Sequence, residues 1–102
     1  MRIIKWGVLR DFIRRHPVAD PGLCHWFDVA KKATWQNPAD VKATLGSTDM
    51  VSVSSGNTVA VFNIAGGKYR LIASIHYNTQ RVYTLMVLTH AAYETGRWRK
   101  EL

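Results

Sequence analysis

Residues 50–90, MVSVSSGNTVAVFNIAGGKYRLIASIHYNTQRVYTLMVLTH, are a succession of β-rich runs broken by SSGN, AGGK and NTQR. Val, Ile, Tyr, Phe and Thr fill the runs, and turn-forming residues fill the breaks. Connections this short reverse a chain rather than carry it across a sheet, so consecutive strands must pair as an antiparallel meander. A meander needs an apolar layer on at least one face.

The first half of the chain supplies that layer. MRIIKW is a short strand candidate through Ile3 and Ile4. GVLRDFIRRHP then places Val8, Leu9, Phe12 and Ile13 at helical spacing, and Pro17 ends the run. ADPGLCHWFDVAKKATW predicts a second helix, with Asp20 as N-cap, Pro21 at the first helical position and Leu23, Trp26, Phe27, Ala30 and Ala33 or Thr34 as its buried stripe. NPADVKATL predicts a short helical turn capped by Asn37. The expected fold class is α+β: one domain over residues 1–102, a small mainly antiparallel sheet with two N-terminal helices on one face. The tail AAYETGRWRKEL is expected to form a brief helix or stay mobile, the mobile part being about residues 95–102.

Charge narrows the function. The net charge is +7, from 14 Lys and Arg against 7 Asp and Glu. An excess of this size points to a polyanionic partner, with a basic surface kept for solubility as the alternative. Between Met50 and Tyr93 there is no Asp or Glu, whereas Lys68, Arg70, His76, Arg81 and His90 all lie there. In GGKYRLIASIHYN, alternation puts Tyr69, Leu71, Ala73, Ile75 and Tyr77 on one strand face. Lys68, Arg70, Ile72, Ser74 and His76 fall on the other. The more apolar side should meet the helices, leaving the basic side as an open working surface. Cys24 is the single cysteine, so no intramolecular disulfide forms. Charged residues interrupt the opening stretch, so it does not read as a signal peptide, and no run is long enough to span a bilayer. A cytoplasmic location and no membrane partner are expected.

Arg70 is the first candidate for chemistry, because a guanidinium offers a rigid fork of donors that matches two phosphate oxygens. The plain alternative is an exposed strand arginine, and Lys68 beside it can equally be a charge that discourages edge pairing. His90 and Tyr93, in LTHAAYE, share a face when a helical turn begins there; His90 is the natural proton-transfer group. The alternative is that His90 ends the strand and Tyr93 packs with its hydroxyl in water. His76 is ambiguous, and His16 and His25 are given no chemistry. Clustered carboxylates, zinc spacing, a P-loop and GxGxxG are all missing, so no metal or other cofactor is expected. The remaining tools are cationic and aromatic, and they suit RNA. Its own 2′-hydroxyl can attack the adjacent phosphate, so the protein supplies alignment, charge stabilisation and proton transfer.

VFNIAGGKYRLIASIHY followed by VLTHAAYE resembles the HigB toxins of bacterial type II toxin–antitoxin modules, within the RelE-like superfamily. The MRII start, the helix ending in HP and LxxWxxxAxxATWxNPAD extend the resemblance to about residues 1–94. It implies a RelE-like fold and an mRNA interferase, an endoribonuclease that cuts messages engaged on the ribosome. It also implies a cognate HigA-type antitoxin as partner. By motif position, Arg70 corresponds to the strand arginine that acts on the scissile phosphate, and His90 and Tyr93 match the TH…Y end. Lys68 and Asn63 fall in the same motif. The expected catalytic residues are Arg70, His90, Tyr93 and Lys68, and the expected RNA-binding residues are Asn63, His76 and Arg81. Ala92 stands where relatives carry an acid, and Glu94 replaces the usual aspartate. A non-catalytic RNA- or DNA-binding module using the same basic face is the alternative, separable by whether RNA is cut or only bound.

Overall fold

The computed structural model describes residues 1–102, and its three tight turns deliver the meander. Strands β2 (Asp49–Ser52), β3 (Thr58–Ile64), β4 (Tyr69–His76) and β5 (Arg81–Thr89) pair antiparallel in sequence order. Strand β1 (Arg2–Ile4) adds to the outer side of β5 in parallel, giving the order β1-β5-β4-β3-β2. That parallel step requires a long return, and the helices provide it. Helices α1 (Trp6–Arg15), α2 (Asp20–Lys32) and α3 (Pro38–Thr44) lie between β1 and β2 in the chain, and α4 (His90–Glu94) follows β5.

The main core forms where α1 and α2 meet the sheet. Leu9 and Phe12 of α1, Leu23, Trp26 and Ala30 of α2, and Phe62, Leu71 and Val82 of the sheet are buried in one cluster. Tyr69, Leu71, Ala73, Ile75 and Tyr77 all belong to this face, as alternation in β4 predicts. Each of these helices carries basic residues in its last turn, Arg14 and Arg15 in α1 and Lys31 and Lys32 in α2, where the helix dipole favours positive charge. Buried Thr84 ties the β1–α1 corner: its hydroxyl lies 3.0 Å from the Ile4 carbonyl and 2.7 Å from that of Lys5, whose φ is +66°. One polar side chain thus fixes a corner that periodicity does not reveal.

Helix α2 approaches the end of β3 so closely that Gly22 has no room for a side chain. A Cβ there would stand 2.8 Å from Ile64 Cγ2 and 3.0 Å from the Ala65 nitrogen. Asp20 is not the N-cap. A 3-10 turn over Pro17–Ala19 runs directly into α2, so Asp20 is already helical and its carboxylate accepts from the Cys24 thiol at 3.0 Å. The helix ends at Lys32, and Ala33 turns to extended backbone that lets Trp35 enter the core. Asn37 does cap α3, accepting from the Asp40 amide at 3.0 Å.

The second sheet face differs from the expectation of an open surface. The 3-10 turn Arg97–Glu101 folds back over it, and Trp98 is only 4 % exposed. Trp98 joins Val53, Val59, Val61 and Ile72 in a second apolar cluster, so Ile72 is wholly buried although it shares a strand face with Arg70. The tail backbone is held as well: the Ser54 amide donates to the Arg99 carbonyl at 3.1 Å. A large aromatic ring gains too much from burial to remain in water when an apolar sheet face lies within reach.

Candidate functional site

The pairing register decides which candidates meet. Arg70 lies opposite Asn63 on β3 and Leu88 on β5. One residue earlier, Tyr69 lies opposite Thr89, the last residue of β5, and α4 starts immediately after it. The His90 amide donates to the Lys68 carbonyl at 2.9 Å, fastening the start of α4 to the start of β4. Thr89 caps that helix, its hydroxyl accepting from the Ala92 amide at 3.2 Å. Asn63, Lys68, Arg70, His90 and Tyr93 therefore converge at one end of the sheet. His76 and Arg81 do not join them. They lie opposite each other at the other end of β4 and β5, next to Arg2 of β1, and all three are exposed.

Arg70 is half-buried and held from two sides. Its Nη1 donates to the Gly67 carbonyl at 2.5 Å, and its Cζ stands 5.3 Å from the centroid of the Tyr93 ring. Gly67 permits this through what it lacks. Its φ is +96°, and a Cβ there would stand 3.0 Å from Arg70 Nη1. The glycine pair thus does more than turn the chain: it clears space for the guanidinium and presents a carbonyl to it. The pair was visible in the sequence as a turn signal, but its contact with Arg70 was not.

Charge at this end is left uncompensated. The ion pair within 4.0 Å is His90 Nε2 to Glu94 Oε1, at 3.6 Å, and none of the Lys and Arg side chains has a carboxylate that near. Arg70 is neither beneath the helices nor locked to an acid. Its cationic field is available to an anion, and its position is already fixed by neutral partners. His90 is well exposed at 57 %, with Glu94 one turn further along α4. Such an exposed pair adds at most about 1 kcal/mol to stability.

Tyr93 is engaged on its ring. Trp98 stacks on it at 5.4 Å between centroids and 19° between planes, while Arg70 lies over it. Both contacts occupy ring surface, and the side chain is half-buried. Sequence reasoning missed Trp98 by leaving the tail as a brief helix or a mobile end; the signal was a tryptophan among charged residues, which seldom stays exposed. Cys24 carries no chemistry here. Its thiol donates a hydrogen bond to the Asp20 carboxylate, and that bond raises its pKa above the usual thiol value.

The class this small α+β domain falls in is that of the RelE-like toxic components of toxin–antitoxin systems: the HigB toxin family of this class matches residues 19–96. The chain belongs to that family. Over 94 residues it is 26 % identical to the mRNA interferase toxin HigB of Escherichia coli strain K12, covering 92 % of this chain and 88 % of the relative. The mRNA interferase HigB proteins of Escherichia coli O157:H7 and Shigella flexneri match to the same extent. The expected family and fold class are thus borne out. A toxin–antitoxin family implies an antitoxin partner, and no helix is long and apolar enough to cross a membrane.

Proposed function

We propose that this toxin is a ribosome-dependent mRNA endonuclease that cuts without a metal, by attack of an RNA 2′-hydroxyl on the adjacent phosphate. One observation carries the proposal: Arg70 is pre-positioned by the Gly67 carbonyl and the Tyr93 ring, with no carboxylate to neutralise it. A donor fork fixed before substrate arrives costs no reorganisation when charge develops on the phosphate oxygens. Lys68, exposed two residues earlier in the chain, adds to the positive field. In this reading the 2′-oxygen forms a bond to phosphorus while the 5′-oxygen leaves, producing a 2′,3′-cyclic phosphate and a 5′-hydroxyl. His90 transfers a proton, and the Tyr93 hydroxyl orients the attacking sugar. Asn63, His76 and Arg81 bind RNA beyond the scissile bond. The family's named relatives are mRNA interferases, which supports the same reading. A HigA-type antitoxin restrains the enzyme in the cytoplasm.

The test adds the purified chain to translating ribosomes and maps the message ends, whose chemistry separates 2′-hydroxyl attack (5′-hydroxyl) from metal-assisted hydrolysis by water (5′-phosphate). Cleavage giving 5′-hydroxyl ends, lost in Arg70→Ala while the melting temperature is kept, is the expected result. Message binding without any cut would favour the binding module. Cleavage only on bare RNA would remove the ribosome from the proposal.

A further inference from the structure

The last turn of the chain touches the site from behind. Helix α4 has only five residues, too few to hold itself in place by its own hydrogen bonds. Three attachments hold it: the Thr89 cap, the bond from the His90 amide to the Lys68 carbonyl, and Trp98. Trp98 acts on Tyr93 twice, since its ring stacks on the Tyr93 ring and its Nε1–H donates to the Tyr93 carbonyl at 3.2 Å. Trp98 is anchored in turn over Val53, Val59, Val61 and Ile72, with the Arg99 guanidinium 5.5 Å from its ring. Arg70, Tyr93, Trp98 and Arg99 thus form a run of two stacked aromatic rings with a guanidinium at each end, from the sheet end into the tail. Trp98 lies beyond the stretch that matches the family, residues 19–96.

We infer that Trp98 is a positioning residue for the proposed cleavage: it holds Tyr93, and through Tyr93 the Arg70 guanidinium, in working geometry. The inference rests on the proposed function, although the placement of the ring can be read without it. Trp98 is too buried to touch RNA, so its loss should act on turnover and not on substrate binding. Without the stack, Tyr93 regains freedom about its side-chain bonds and Arg70 loses one of its two supports. Small displacements of this kind are costly because a reaction in line at phosphorus tolerates little misalignment.

The experiment compares the full chain with Trp98→Phe and Trp98→Ala, measuring kcat and KM on ribosome-engaged message and the melting temperature. In parallel, the NMR signals of the Tyr93 ring, identified through Tyr93→Phe, report the ring current of its neighbour. Trp98→Ala is expected to lower kcat by about tenfold or more with KM nearly unchanged, and to move the Tyr93 signals toward those of a free tyrosine. Trp98→Phe, which keeps an aromatic ring but loses the N–H, should restore much of kcat. Unmoved Tyr93 signals in Trp98→Ala would overturn the inference. So would moved signals with full kcat, or a rate loss that merely follows the unfolded fraction in both variants. A wild-type chain that cuts no RNA would sink the proposed activity, while the ring signals would still report whether Trp98 holds Tyr93.

Discussion

Arg70 and His76 stand on one strand and nominally one face, about 20 Å apart, and the two ends they mark are built differently. At the Arg70 end, a glycine carbonyl, an aromatic ring and a capped helix converge on one guanidinium. At the His76 end, Arg2, Arg81 and His76 line three neighbouring strands in register, all exposed; His76 meets only Ser74 Oγ at 3.3 Å and the edge of Tyr83. Pre-organised charge suits a transition state, whose geometry is strict. Loosely held charge suits a polyanion backbone, which is bound without a fixed pose. Residue type alone does not separate the two roles; what lies around each cation does.

The largest expected effect tests the ordered end. Arg70→Ala should reduce kcat by about 10²–10³-fold, and Arg70→Lys should recover only part of it, because an ammonium keeps the charge without the fork. Full recovery by lysine, measured as single-turnover cleavage, would mean that geometry at this end is irrelevant.

Next comes the glycine pair. Both Gly66 and Gly67 have positive φ, so alanine at either should cost about 1–2 kcal/mol of stability by denaturant titration. Only the Gly67 methyl would meet Arg70; at Gly66 nothing lies within 4 Å. Gly67→Ala should therefore also lower kcat by about tenfold, while Gly66→Ala leaves kcat alone. Equal kcat in the two variants would detach the turn from the chemistry.

At the loose end, Arg81→Ala should leave kcat intact, weaken RNA binding evenly across sequences and reduce the salt slope of binding by about one. A large kcat loss there would dissolve the distinction between the ends.

The smallest effect concerns Tyr77, beside His76. Burial, reinforced by Asp40, raises its pKa above the usual 10.0. The folded state thus holds the phenol proton more tightly than the unfolded chain does. Its contribution is present below that ordinary value and is lost as pH rises through the folded value. Tyr77→Phe should flatten the alkaline fall in stability slightly, as seen by thermal melts between neutral pH and the phenol range.

The fold was largely legible because its signals are local. Alternation in β4, the short turns and the spacing of Leu9, Phe12, Leu23 and Trp26 each follow from a few adjacent residues. Of the site, Arg70, Lys68, Asn63, His90 and Tyr93 were legible as candidates, and the register brings them together. The supports were not. That the Gly67 carbonyl meets Arg70 depends on the φ of a turn, and that Trp98 packs on Tyr93 depends on a tail folding back over a sheet. Placing His76 with Arg70 on one basic surface overlooked that Ile72 between them is covered. Asp20 was misassigned because a 3-10 turn displaced the helix start, an effect of the chain before it and not of its own residue type.

Gly22 illustrates how a contact distant in sequence constrains one helix position. On a helix surface an alanine ordinarily counts as an improvement, since it favours the helix. Here the extra methyl would press on Ile64 and on the backbone of Ala65, and so on the residues that lead into Gly67. A helix position is thereby constrained by a turn more than forty residues later in the chain, and the two form one joint.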